Sequence, residues 1–94
     1  SAVTEEKVEP TGSSLKIYSS SGKVCILPQG SEWDGVSGKV RIFDITGRLL
    51  TAENEERFNS GELKEYYISA AGGLLIVEVT AGPKRYLEKI VLTR

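Results

Sequence analysis

The sequence predicts an all-β sandwich of about seven short antiparallel strands. Three observations carry this. Short apolar runs alternate with turn residues at the spacing common in sandwiches. No segment sustains helical periodicity, and the charged stretch 53–58 has room for one turn at most. Several runs are apolar on both faces. In residues 74–79, Leu75, Val77 and Val79 share one side, while Leu74 and Ile76 share the other with Glu78.

The elements follow in order. Residues 1–14 are polar, with Thr4-Glu5-Glu6-Lys7, Pro10 and Gly12, and have little to bury. They read as a flexible leader ahead of a sandwich domain at 15–94. Residues 15–18 and 23–27 form a first hairpin around Ser20-Ser21-Gly22. Residues 28–38 are the longest loop of the domain. Residues 40–45 enter the tight turn Asp44-Ile45-Thr46-Gly47, and 48–52 read as the return strand. Asp at the start of a turn bonds the backbone two residues on, and Gly accepts positive φ. Residues 53–57 are charged and read as a loop, with Asn59-Ser60-Gly61 as a turn and 63–68 as a strand. Ala70-Ala71-Gly72-Gly73 then turns into 74–79, and Ala81-Gly82-Pro83 turns into the last strand. That strand, KRYLEKIVLTR at residues 84–94, closes the sequence. Chain ends are usually loose. An end tied into a sheet directs attention to itself as a functional element.

Ninety-four residues make one domain. Twelve Lys and Arg stand against thirteen Asp and Glu, scattered along the chain. No global field recruits nucleic acid, and no nucleic-acid partner is expected. No apolar run is long enough to span a bilayer. The sequence has no Met and no basic-then-apolar leader, which predicts a processed C-terminal piece of a longer protein or, alternatively, a chain whose native N-terminus was trimmed. The single cysteine, Cys25, has no internal disulfide partner and reads as a buried small hydrophobe.

The absence of histidine removes the commonest general base and metal ligand. One cysteine with no histidine does not make a zinc site. Glu32 and Asp34 flank Trp33 in the long loop, but glycoside chemistry needs two carboxylates across a cleft, for which this small sandwich has little room. The expectation is a non-catalytic domain without a cofactor. Trp33 has two readings. It covers the open end of the sandwich, or it is a partner or sugar contact on a recognition loop. Arg48 reads as a solvated turn residue.

Three segments together resemble a known family. They are GKVRIFDITGRLL at 38–50, GGLLIVEVTAG at 72–82, and KRYLEKIVLTR at 84–94. Their order and spacing resemble the C-terminal sorting domain of the type IX (Por) secretion system of Gram-negative bacteria. In that family a hydrophobic strand runs into an Asp-x-x-Gly-Arg turn, matched by Asp44, Gly47 and Arg48. A Gly-led strand follows, starting here at Gly73. A Lys-aliphatic strand ends the family's domain, matched by Lys89, Ile90, Val91 and Leu92 ahead of Arg94. Two features depart from the pattern. Leu74-Leu75 stand where the family often has Tyr, and Pro28-Gln29-Gly30 stands near the family's Pro-Asn-Pro element.

The resemblance implies an immunoglobulin-like sandwich that serves as an address label. Such a label carries an N-terminal cargo domain across the outer membrane through a translocon. A sortase-like peptidase then usually removes it. The implied partners are translocon components and that peptidase. The implied location is the periplasm in transit to the cell surface or the medium. Sorting and recognition would rest on Lys89, Ile90, Val91, Leu92 and Arg94, with Asp44, Gly47 and Arg48 as the motif turn. A weak homodimer through an unpaired strand edge is a further expectation. The alternative is an immunoglobulin-like structural or adhesive domain of a multidomain surface protein.

Overall fold

The computed structural model describes residues 8–9, 11, 14–51, 54–69 and 73–93. Seven strands run through them: β1 (Leu15–Ser20), β2 (Lys23–Pro28), β3 (Val36–Asp44), β4 (Glu55–Phe58), β5 (Lys64–Tyr67), β6 (Gly73–Ala81) and β7 (Lys84–Leu92). They form two antiparallel sheets, β1-β2-β5 and β4-β3-β6-β7. The chain crosses between sheets after β2, β4 and β5. This is an immunoglobulin-like sandwich in which the fourth strand sits beside β3 rather than on the β1-β2-β5 sheet.

Turn chemistry sets both long hairpins. β1 and β2 pair from Leu15↔Pro28 to Ser20↔Lys23, leaving Ser21 and Gly22 as the loop. Both have positive φ, 50° and 77°, as a two-residue turn matched to strand twist requires. β6 and β7 pair along their full length, from Gly73↔Leu92 to Ala81↔Lys84.

Period-two alternation then builds the core. Leu15, Val24 and Ile26 point inward from one sheet, and Val40, Ile42, Leu75, Val77 and Val79 from the other. Trp33 follows β2 on a short 3₁₀ turn (Ser31–Trp33) and covers one end of this core. Cys25 is buried and unpaired, as a small hydrophobe would be.

Three boundaries differ from the sequence reading. Among the described residues of the return strand expected at 48–52, pairing is reduced to one bridge, Phe43↔Leu49, plus a Leu50 N–H to Ile42 C=O bond of 2.7 Å. Thr51 Oγ1 then accepts from the Ile42 N–H at 3.3 Å, so a side chain replaces the next ladder bond. The chain rejoins the same edge of β3 further on, with the pairing register shifted by two residues. That second contact is β4, which lies in the stretch expected to be a charged loop. β4 needs only Phe58 in the core, and its remaining charges face water or pair, as on protected sheet edges. Finally, β3 begins at Val36, inside the expected 28–38 loop, and carries Gly38 within it.

Gly38 is there for a spatial reason. A Cβ at this position would lie 2.1 Å from the Thr80 carbonyl oxygen and 3.0 Å from the Phe58 ring. β3 and β6 approach closely across it.

The expected flexible leader lies mostly outside the described residues. Two of its described residues bond to β7. Glu9 forms a parallel bridge with Tyr86, its N–H donating to the Arg85 C=O at 2.7 Å. The Thr11 hydroxyl donates to the Glu88 carboxylate. Both contacts lie on the outer side of β7.

Candidate functional site

The three segments that carry the family resemblance fold into neighbouring strands. Residues 38–50 supply β3 and its turn, 72–82 supply β6, and 84–94 supply β7, in the sheet order β3-β6-β7. One face of these strands is core. The other, by alternation, presents Lys39, Arg41 and Phe43 from β3, Leu74, Ile76, Glu78 and Thr80 from β6, and Arg85, Leu87, Lys89 and Val91 from β7. The register sets Leu74 opposite Val91 and Phe43 opposite Ile76. Leu74 and Val91 are 43% and 63% exposed. The result is an apolar strip with a basic surround.

A buried carboxylate organises the middle of this face. Glu78 is only 4% exposed, although it points away from the core. Arg41 and Arg85 close over it. Arg41 Nε donates to Glu78 Oε1 at 2.7 Å, and Arg85 Nε donates to Oε2 at 2.6 Å. Two guanidiniums share one carboxylate. Arg41 also lies 5.9 Å from the Phe43 ring centroid. Sequence reading missed this network. Its members come from three strands, and only the cross-strand register brings them together.

The Asp44 turn is built from its own carboxylate. Oδ1 accepts from the Thr46 N–H at 2.9 Å, the Thr46 hydroxyl at 2.5 Å and the Arg48 N–H at 3.0 Å. The Gly47 N–H reaches the Asp44 C=O at 3.0 Å, with Gly47 at φ 88°. The Thr46 hydroxyl, then the Arg48 backbone N–H, hold the Asp44 carboxyl below its ordinary pKa. Arg48 is exposed, with its Nε 3.4 Å from Asp44 Oδ2. Asp, Gly and Arg at this spacing therefore make a rigid corner that presents one guanidinium.

The terminal strand splits its expected recognition residues between two faces. Ile90 and Leu92 point inward, with Leu92 5% exposed and Ile90 packed against the core. Lys89 and Val91 point outward. Of the three aliphatic residues expected to act together in recognition, Val91 alone faces outward. Past β7, the Thr93 N–H donates to Ser19 Oγ at 2.8 Å, and the Gly22 N–H donates to the Thr93 C=O. These bonds join the end of β7 to the first hairpin. Arg94 lies outside the described residues.

Trp33 is a wall rather than an exposed contact. It is 3% exposed, edge-on to Phe58 at 5.5 Å and tilted against Tyr86 at 5.4 Å. Its indole N–H is buried, with no hydrogen-bond partner among the described residues. Such an orphan donor costs about 1–3 kcal/mol. The flanking carboxylates do not form a pair. Asp34 accepts from the Ser60 N–H at 2.9 Å and so fixes the neighbouring turn, while Glu32 is exposed. Among the described residues, no group of three Cys, Asp or Glu side chains is placed to hold a metal ion.

No family model matches the chain, and no curated protein matches it.

Proposed function

We propose that this domain is a non-catalytic sorting signal of the type IX secretion system. It directs an N-terminal cargo across the outer membrane and is then removed by a sortase-like peptidase. One observation carries the reading. The three stretches that resemble the family, the first well apart in sequence from the other two, fold as adjacent strands with one shared outward face. A label read in folded form needs such a face. The basic and apolar surface around Phe43, Leu74, Lys89 and Val91 is the part a translocon component would contact, with Arg48 at its corner. Ile90 and Leu92 contribute indirectly, by anchoring β7 so that Lys89 and Val91 are held in place. The domain would pass through the periplasm to the cell surface or the medium. A weak homodimer through an edge strand such as β1 or β5 belongs to the same proposal.

The test is export. Residues 1–94 are fused behind a reporter that carries a secretory signal peptide, and the reporter is located by fractionation. Surface or extracellular reporter is the expected result. A fusion that folds yet stays in the periplasm returns the domain to the alternative, an immunoglobulin-like structural or adhesive module.

A further inference from the structure

β7 ends the sheet order β4-β3-β6-β7, so none of the seven strands pairs with its outer edge. Edges of this kind take up extended chain. Here the leader lies on it. The Glu9 N–H donates to the Arg85 C=O at 2.7 Å. Glu9 bridges Tyr86 in parallel, whereas the strand pairs of both sheets are antiparallel. The Thr11 hydroxyl then donates to the Glu88 carboxylate. Thr11 stands two residues after Glu9, and Glu88 two after Tyr86, so one parallel register accounts for both contacts. Tyr86 responds to its neighbour: burial first, and the Glu9 charge second, push its phenol above the ordinary pKa. The hold is shallow all the same. Val8 is 42% exposed, and Glu9 and Thr11 are half-buried.

We propose that the outer edge of β7 is an acceptor site for an extended segment in parallel register, and that its occupant is the chain's own leader, fastened at Glu9 and Thr11 as a releasable strap. Two hydrogen bonds among the described residues hold it, one from main chain and one from a hydroxyl to a carboxylate. Bonds of this kind, set against the cost of ordering the segment, favour the docked form by roughly 10- to 100-fold. The sandwich as a whole is far more stable than that. The strap therefore opens while the domain stays folded. Pro10, between the two contacts in sequence, has no N–H to offer a further strand. That favours a single leader on the edge over a growing stack of copies. Docking also governs cutting. A protease attacks the opened form, so the leader around Glu9 is a poor substrate until it leaves β7. The strap sets the rate at which the leader can be removed. This inference does not depend on the sorting reading.

The test uses the full chain and its Thr11→Val variant, with free peptides of residues 1–14 carrying either side chain as references. Hydrogen exchange is read from ¹⁵N correlation spectra. The Glu9 amide should exchange roughly 10- to 100-fold more slowly in the full chain than in the peptide. Thr11→Val should reduce that protection by about three- to tenfold, since one side-chain bond is lost. The β6 amides should stay as slow as before. Subtilisin at low concentration, with cuts between residues 7 and 12 located by mass spectrometry, gives the second readout. It should remove the variant's leader faster by the same factor, each rate being divided by that of the matching peptide. A Glu9 amide that exchanges as fast as in the peptide overturns the strap, as does cutting at the peptide's rate. Protection as high as that of the β6 amides means a permanent strand and overturns release. Protection that grows with chain concentration puts a second copy's leader on β7 and overturns the assignment within one chain. Unchanged protection in Thr11→Val overturns the shared register.

Discussion

Leu92→Ala and Val91→Ala should differ sharply, although the residues are adjacent. Leu92 is 5% exposed and lies opposite Gly73 on the core side of β7. Truncating a buried Leu to Ala costs about 2–5 kcal/mol. Leu92 closes the last pair of the ladder, where the structure can relax, so about 2–3 kcal/mol is expected. Val91 is 63% exposed on the other face, and its loss should stay within about 0.5 kcal/mol. Total stability for a domain of this size is roughly 5–10 kcal/mol, so both variants should fold. With a urea slope near 1 kcal/mol/M, the Leu92 variant should lose about 2–3 M in midpoint and the Val91 variant under about 0.5 M. Trp33, buried in the core, reports the transition by fluorescence. Equal losses, or a larger loss at Val91, would refute the reasoning. A one-residue slip in register exchanges the two faces of a strand.

Other outcomes follow from the same geometry. Gly38→Ala drives a methyl into the Thr80 carbonyl and should cost about 1–3 kcal/mol; an unchanged melting temperature would show that β3 and β6 are not in close approach there. Glu78→Ala removes the carboxylate that Arg41 and Arg85 share. Removing one partner of a buried pair costs about 3–5 kcal/mol, discounted here to about 2–3 because both guanidiniums are about a third exposed; chemical denaturation measures it, and Glu78→Gln should recover part of the loss. Asp44 has a folded pKa below its ordinary 3.8. Its contribution is therefore present above that value and lost as pH falls through the folded one. The unaltered chain should lose stability below about pH 4 relative to Asp44→Asn, and parallel profiles for the two would contradict the turn assignment.

Local pattern revealed much of this fold, and its failures have physical causes. β1, β2, β6 and β7 announce themselves by apolar runs between turn residues. So does the corner at Asp44, because Asp and Gly at that spacing act within a few residues of each other. β4 was hidden by its charges. One inward Phe58 suffices for an edge strand, and alternation over four residues with a single apolar member leaves no periodic signal. The start of β3 was hidden by Gly38, which reads as a loop residue unless one knows that β6 passes over it. The family resemblance groups Val91 with Ile90 and Leu92, whereas period two sends it outward. The Arg41–Glu78–Arg85 cluster depends on the β3-β6-β7 register. No local reading supplies that register.

If the folded domain is read as an export address, it should decide where a fused cargo ends up. A signal-peptide reporter followed by residues 1–94 is expressed in a bacterium that has the type IX machinery and in the same strain without its translocon. Predicted is reporter at the surface or in the medium of the first strain and in the periplasm of the second. Periplasmic reporter in both strains, with the domain folded, would contradict the account.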